Sequence, residues 1–194
     1  MLRADHAGDF QTRLSNGKLI QTHVEPLLAA MPLDRWTLGI ESWTADDSDL
    51  PGLDHTRRQR LPVVPVQTDA DHSLPGWGAL GHPDKAGLGF YVTEIQLPAS
   101  WSSGDGAWLD LGQVVDTFRL TVNGSAVPPS SYQDTSGIDV GPFLRAGANR
   151  IEVRVATPLR NAVEATTKEG AKMLKQVGLI GPVILRPYRD LPLN

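Results

Sequence analysis

The stretch from Phe118 to Gly124 constrains the fold of this chain more than any other. In residues 118–122 apolar and polar side chains alternate, which is the pattern of a β-strand with one buried and one solvated face. Asn123-Gly124 follows at once, and this dipeptide supplies the positive φ angles of a tight hairpin turn. Residues 150–155 repeat the alternation after a loop that contains Gly147 and Asn149. The sequence therefore predicts sheets with one buried face and one solvent-exposed face.

Further strands are predicted from the same alternation at residues 10–14, 19–24, 36–43, 90–98 and 106–112. In residues 36–43 the side chains of Trp36, Leu38 and Ile40 share one face. Proline and glycine interrupt residues 44–89, which we interpret as a long connection. Only residues 163–176 resemble a helix, and that pattern breaks at Gly170. Many strands with almost no helix predict an all-β fold, an antiparallel β-sandwich of jelly-roll type.

Two units are expected along the chain. Residues 33–194 form the jelly-roll sandwich, and residues 1–32 form a short β segment that is the end of a preceding domain, a linker or a strap across the sandwich. A chain of 194 residues is long enough for one domain with extra segments.

Charge and composition exclude several classes of function. A net charge of −4 argues against nucleic-acid binding, and the run Arg57-Arg58-Gln59-Arg60 is too short to change that. There is no cysteine, so a disulfide framework, a thiolate metal site and a thiol nucleophile are excluded. No apolar run reaches the length of a membrane span, and Met1-Leu2-Arg3-Ala4-Asp5 does not open a signal peptide. An extracellular and a cytoplasmic location both stay open.

A set of short motifs resembles the galactose-binding-like jelly-roll domains of multidomain glycoside hydrolases, among them the sugar-binding domain of the family 2 enzymes. In particular, the chain resembles the C-terminal domain of family 106 glycoside hydrolases, the α-L-rhamnosidases. The motifs cover about residues 33–188 and include Gly89-Phe90-Tyr91, Trp108-Leu109-Asp110-Leu111-Gly112, Val122-Asn123-Gly124 and Gly178-Leu179-Ile180-Gly181-Pro182-Val183.

That resemblance implies a role in carbohydrate metabolism within a large polypeptide whose catalytic carboxylates lie on a separate barrel. A complete barrel of about 250 residues does not fit here. The first interpretation is therefore a non-catalytic ancillary module, carbohydrate-binding or structural, whose partner is the catalytic domain of a parent glycoside hydrolase. Two alternatives stay open, a free-standing carbohydrate-binding protein and a small glycoside hydrolase or lyase with its site on the sandwich.

Glycoside hydrolysis needs two facing carboxylates, one of them with a raised pKa. The candidates on predicted strands are interpreted as solvated or structural residues, because the wet face of a sheet normally carries such acids. They are Glu41, Glu94, Asp110, Asp116, Asp139 and Glu152. No catalytic residue is assigned.

Exposed aromatic side chains are the best candidates for sugar contact, because their flat faces stack on the apolar faces of sugars. Trp77 in a Gly- and Pro-rich loop is the first choice, followed by Trp101 and Tyr132. Trp43 also lies beside a loop, whereas Trp36 and Trp108 are expected to face the core. The alternative interpretation is structural, with Trp77 as an anchor that holds its loop against the core.

No metal site and no cofactor are assigned. His72 and His82 share a loop, but no histidine spacing matches a metal-binding motif. The resemblance brings in a structural Ca²⁺, because domains of this type often hold one. Asp46-Asp47-Ser48-Asp49 is the acidic run that fits such an ion, yet we prefer to interpret it as a solvated loop.

Overall fold

A computed structural model describes residues 1–45, 56–128, 134–165 and 173–193. In chain order its strands are β1 (Leu2–Ala4), β2 (Gly8–Arg13), β3 (Leu19–Val24), β4 (Met31–Pro32), β5 (Arg35–Ala45), β6 (Thr56–Arg60), β7 (Val64–Gln67), β8 (Gly87–Leu97), β9 (Asp105–Asp110), β10 (Gln113–Val115), β11 (Thr117–Val122), β12 (Ser125–Val127), β13 (Ile138–Asp139), β14 (Gly147–Ala156), β15 (Gly178–Gly181) and β16 (Ile184–Leu191). A 3-10 turn at Gly141–Phe143 and the helix α1 (Arg160–Glu164) complete the described elements. The prediction of an all-β antiparallel sandwich is confirmed.

The larger sheet has seven strands in the order β12, β11, β14, β8, β5 and β6, with β7 also beside β5. Its ladders are antiparallel, and the longest one joins β8 to β14 over ten residue pairs. The β11–β12 hairpin turns at Asn123, with φ of 51°, and Gly124, with φ of 83°. The predicted hairpin at Asn123-Gly124 is therefore confirmed.

The smaller sheet has five strands, with β1, β16, β9 and β13 in order and β4 also beside β16. The N-terminal residues 1–32 supply β1 and β4 to this sheet, while β2 and β3 pair only with each other around Gly17. The two remaining strands, β10 and β15, form a separate pair. The division of the chain at residue 33 stays a prediction.

One core fills the space between the two main sheets. Trp36, Leu38 and Ile40 of β5 are all buried in it, as the alternation predicts, and Leu109 and Leu185 enter it from the smaller sheet. Alternation along β8, β11 and β14 sends every second side chain into this core and leaves the others on the outer face of the larger sheet. That outer face is where the recesses described below are found.

Three expectations need correction. Residues 44–89 are more than a long connection, because β6 and β7 lie there and pair with β5. Proline hides β7 from its sequence, and Pro65 is tolerated because β7 is an edge strand. Trp108 does not face the core: its neighbours Ala107 and Leu109 are buried, so Trp108 points outward and packs against the Tyr188 ring at 4.7 Å between centroids.

The third correction concerns the helix. It spans Arg160–Glu164, whereas residues 166–172 of the predicted segment lie outside the described part of the chain. Buried Asn161 fixes this helix, because its amide donates to the carbonyl oxygens of Pro83 and Leu174, both at 2.9 Å. No helix in the described ranges has the length and apolar character needed to cross a membrane.

Candidate functional site

The first-choice aromatic residue is buried. Trp77 has 0% of its surface exposed, and its indole Nε1 donates a hydrogen bond of 2.9 Å to the Tyr91 hydroxyl. The same hydroxyl accepts the backbone N–H of Leu179 at 3.1 Å, and burial raises the pKa of Tyr91 to about 12. The expectation that Trp77 is exposed is thus corrected: this side chain anchors its loop to the core and offers no face to a ligand.

The other two aromatic candidates do not join it. Trp101 is half-buried and packs against the core from the middle of the loop between β8 and β9. Tyr132 lies outside the described residues, as does the acidic run Asp46-Asp47-Ser48-Asp49 considered for calcium. The structure therefore brings together none of the aromatic residues that the sequence singled out for sugar contact.

Histidine and acidic side chains in the described ranges form no group of three or more that could hold a metal ion. His72 instead contacts a single acid, with its Nδ1 2.8 Å from the carboxylate of Asp34. Burial raises the pKa of Asp34, but hydrogen bonds from His72 and from the Thr68 hydroxyl outweigh it and hold that pKa below its usual value.

Carboxylates on the outer face of the smaller sheet are neutralised by arginine. Arg3 reaches Asp139 at 2.9 Å and Asp190 at 2.8 Å, and its guanidinium lies 3.9 Å from the centroid of the Tyr188 ring. The hydrogen bond from Arg3 holds the pKa of Asp190 below its usual range. Asp110 is likewise paired, with Arg186 at 2.7 Å. These ion pairs link β1, β9, β13 and β16 of the smaller sheet.

A recess on the outer face of the larger sheet is called the outer groove. It has a volume of about 790 Å³ and receives residues from β5, β6, β8, β11, β12 and β14. Six adjacent strands span five intervals of about 4.8 Å, so the groove crosses the sheet over roughly 24 Å. Its lining consists of Trp43, Arg58, Leu88, Thr117, Phe118, Arg119, Leu120, Ala126, Val127, Pro128, Arg154 and Ala156.

Two arginines of the outer groove face each other. Arg119 of β11 and Arg154 of β14 are direct partners in the ladder, and both point outward because Leu120 and Val153, their neighbours in sequence, are buried. Within the described residues neither guanidinium has a carboxylate within 4.0 Å. Like charges directly opposite one another destabilise a sheet. Glu152 lies on the same face and lines a cavity together with both arginines, but its carboxylate is paired with Arg150 at 2.6 Å. The repulsion between Arg119 and Arg154 is therefore not offset by an ion pair within the described ranges.

The far end of the outer groove is aromatic and cationic. The guanidinium of Arg58 lies 4.8 Å from the ring centroid of Trp43, which is half-buried on β5. The Trp43 indole donates to Glu41 at 2.9 Å, and this hydrogen bond, aided by Arg60, holds the pKa of Glu41 below its usual value. Glu41 does not line the groove, and its carboxylate is already bonded to Trp43 and Arg60.

Phe90 extends the recess toward the centre of the sheet. It lies opposite Arg154 in the ladder and lines two smaller cavities of about 300 and 270 Å³. The second of these shares Arg119 and Arg154 with the outer groove. An apolar floor, aromatic walls and guanidinium donors thus occupy one connected surface. Such a surface can stack on a ring and donate hydrogen bonds to oxygen atoms.

Sequence reasoning missed most of this site. Trp43 is predicted to lie beside a loop. No sequence pattern predicts that Arg58, Arg119 and Arg154 lie close together. Alternation does place Arg119 and Arg154 on outward positions of their strands. Their meeting depends on the register between β11 and β14, which are separated by a long stretch of chain.

Comparison with known proteins shows which solved structures have a similar fold. No protein-family model matches the sequence, and no curated protein matches it. The structure of a rhamnosidase from Novosphingobium sp. PP1Y matches with a TM-score of 0.51 at 21% identity, over 92% of this chain and 19% of that chain. A β-glucuronidase of Faecalibacterium prausnitzii matches with a TM-score of 0.47 at 15% identity, over 87% of this chain and 33% of its own.

A β-glucuronidase of Ruminococcus gnavus gives a TM-score of 0.47 at 18% identity, over 86% of this chain and 30% of its own. This chain thus spans between about a fifth and a third of the length of these solved proteins. At such identities the likeness concerns the fold, and the chain shares its fold with a segment of the larger rhamnosidase.

Proposed function

We propose that this chain is a non-catalytic ancillary module of a glycoside hydrolase resembling the α-L-rhamnosidases, and that it contacts carbohydrate through the outer groove. The fold shared with a fifth of a rhamnosidase chain supports the place in a larger enzyme. The motifs that resemble family 106 domains support the same assignment. Its partner is then the catalytic domain of the parent polypeptide.

One observation carries the carbohydrate assignment, namely the composition of the outer groove. Trp43 and Leu88 give it apolar surface, and Arg58, Arg119 and Arg154 give it hydrogen-bond donors. Sugar rings present an apolar face and a rim of hydroxyls, so recognition needs both kinds of group. The volume of about 790 Å³ is within the range of about 300 to 1,000 Å³ that is typical of small-ligand sites.

The carboxyl groups whose pKa is clearly shifted can be compared with what glycoside hydrolysis needs. A glycosidase needs one carboxylic acid whose pKa is raised, so that it is protonated when the substrate arrives. In the described residues, the carboxyl groups with a resolved shift are all shifted downward, at Asp5, Asp34, Glu41, Asp84, Asp105 and Asp190. Groups of this kind stay ionised near neutral pH and are poor proton donors.

Calorimetric titration with rhamnose-containing oligosaccharides and a panel of other glycans tests the proposal. We expect dissociation constants in the range of about 0.01 to 1 mM, because sugars gain little from exchanging water for protein hydrogen bonds. Trp43→Ala should weaken binding at least about tenfold, whereas Trp101→Ala, outside the outer groove, should leave it within about twofold. Circular dichroism of both variants checks that they are folded.

Two outcomes would contradict the proposal. Failure to bind any glycan of the panel would remove the carbohydrate contact. Release of phenol from aryl rhamnosides or other aryl glycosides, abolished by substitution of a single Asp or Glu, would establish catalysis on the sandwich itself.

A further inference from the structure

We infer that the outer groove selects saccharides that carry carboxylates, so that its ligand is an oligosaccharide containing uronic acids. This inference rests on the proposed function and names the ligand class of the same groove. It starts from the unneutralised charge of Arg119 and Arg154. The two side chains are cross-strand partners on the outer face of the larger sheet, and their cost to the fold is offset when an anion lies between them.

Several other arginines of the chain have a structural role, because they are paired with carboxylates. Arg3, Arg60, Arg150, Arg186 and Arg189 each contact a carboxylate within 3.4 Å. Arg119 and Arg154 have no such partner in the described residues, although the protein has an excess of acidic side chains and a net charge of −4. Arg13, Arg35, Arg145 and Arg160 also have no carboxylate partner in those residues. What distinguishes Arg119 and Arg154 is that they lie opposite each other in one ladder.

Arg58 adds a third cation to the same recess. It lies over the Trp43 ring at the β6 edge, and the outer groove contains no aspartate or glutamate in its described lining. Positive charge is thus concentrated in this recess of an acidic protein. A guanidinium matches a carboxylate through two parallel hydrogen bonds, which gives geometric selectivity as well as attraction.

The shape of the groove favours an extended ligand. Arg58 is contributed by β6 and Arg119 by β11, so the cations are distributed across a groove that spans roughly 24 Å of the sheet. Apolar side chains at Leu88 and Ala156 lie between them on the floor. A chain of sugar rings places repeated apolar faces on such a floor and repeated carboxylates against the guanidinium groups.

A pair of chemically matched ligands tests the inference. Hexagalacturonate and its fully methyl-esterified form have the same backbone, and only the first is charged. We expect hexagalacturonate to bind at least about tenfold more tightly in calorimetry at low salt. The preference should fall as salt is raised, because partly exposed charges are screened. Arg119→Gln and Arg154→Gln should each remove most of it, whereas Arg13→Gln, an exposed arginine of β2, should not.

The variants also separate a ligand role from a structural one. Arg119→Gln removes a like-charge contact, so a folded protein of unchanged or higher melting temperature that has lost hexagalacturonate supports the inference. Equal affinity for the acid and the ester would overturn it and leave the proposed function standing. Equal or tighter binding of dextran sulfate would also overturn it, since that marks an unselective cationic surface. Failure to bind any saccharide would overturn both.

Discussion

Arg119 and Arg154 lie directly opposite each other on the outer face of the larger sheet, joined by the β11–β14 ladder, and neither forms an ion pair within the described residues. Their neighbours Arg150 and Glu152 show the usual solution, an ion pair of 2.6 Å on the same strand face. This like-charge pair lies beside an opposite-charge pair, and we propose that Arg119 and Arg154 serve to bind a ligand and not to stabilise the sheet.

Replacing one member with an acid should therefore stabilise the fold. In Arg119→Glu the new carboxylate faces Arg154, which converts a repulsive cross-strand pair into an attractive one worth about 0.2 to 1 kcal/mol. Urea unfolding should show a higher midpoint than the natural protein, together with loss of binding to acidic oligosaccharides. A lower midpoint would mean that Arg119 makes a stabilising contact. Arg13→Glu on β2 serves as the control for a change of net charge.

Local sequence patterns predict most strands of this fold, but they do not predict the outer groove. Alternation and the Asn123-Gly124 turn predict β11 and β12 because both signals act within a few residues. The prediction for Trp108 is wrong because its apolar neighbours hide the alternation, and β7 is not predicted because prolines mask this edge strand. Arg119 and Arg154 meet only through strand register, which no local pattern encodes.

Tyr91 is expected to be essential to the core through its hydroxyl. Tyr91→Phe leaves two buried donors without a partner, the indole N–H of Trp77 and the backbone N–H of Leu179. Each orphaned buried group costs about 1 to 3 kcal/mol, so the free energy of unfolding should fall by at least about 1 kcal/mol. Denaturant titration measures the loss. An unchanged free energy of unfolding would show that the hydroxyl is not needed.

Gly124 should be needed for its backbone conformation alone. A Cβ at this position meets nothing within 4 Å, so the positive φ of 83° is the only obstacle to substitution. Gly124→Val should lower stability by about 1 kcal/mol or more, because a β-branched residue adopts this conformation poorly. Ser125→Val, in the adjacent strand β12, should be tolerated. Equal melting temperatures for the two variants would refute the hairpin account.

The link between Arg3 and Asp190 should depend on pH in one direction. Arg3 lowers the pKa of Asp190 in the folded state, so the pair adds stability above the ordinary carboxyl pKa of about 3.9 and loses it as pH falls through the lowered value. Arg3→Met should therefore be less stable than the natural protein at pH 5 to 7, with the difference shrinking below about pH 4. A difference that grows on acidification would contradict this assignment.

The central claim, that ligand binds in the outer groove, is tested most directly by the tryptophan indole N–H signals in a nitrogen-15 NMR titration with hexagalacturonate. The chain has five tryptophans, and each gives one such signal. Trp43 lines the groove, Trp36 and Trp77 are buried in the core, and Trp101 and Trp108 lie elsewhere. We predict that the Trp43 signal shifts with saturation while the other four stay within about a tenth of its change. Saturable shifts at Trp101 or Trp108 with an unmoved Trp43 signal would place the ligand outside the groove and contradict the account.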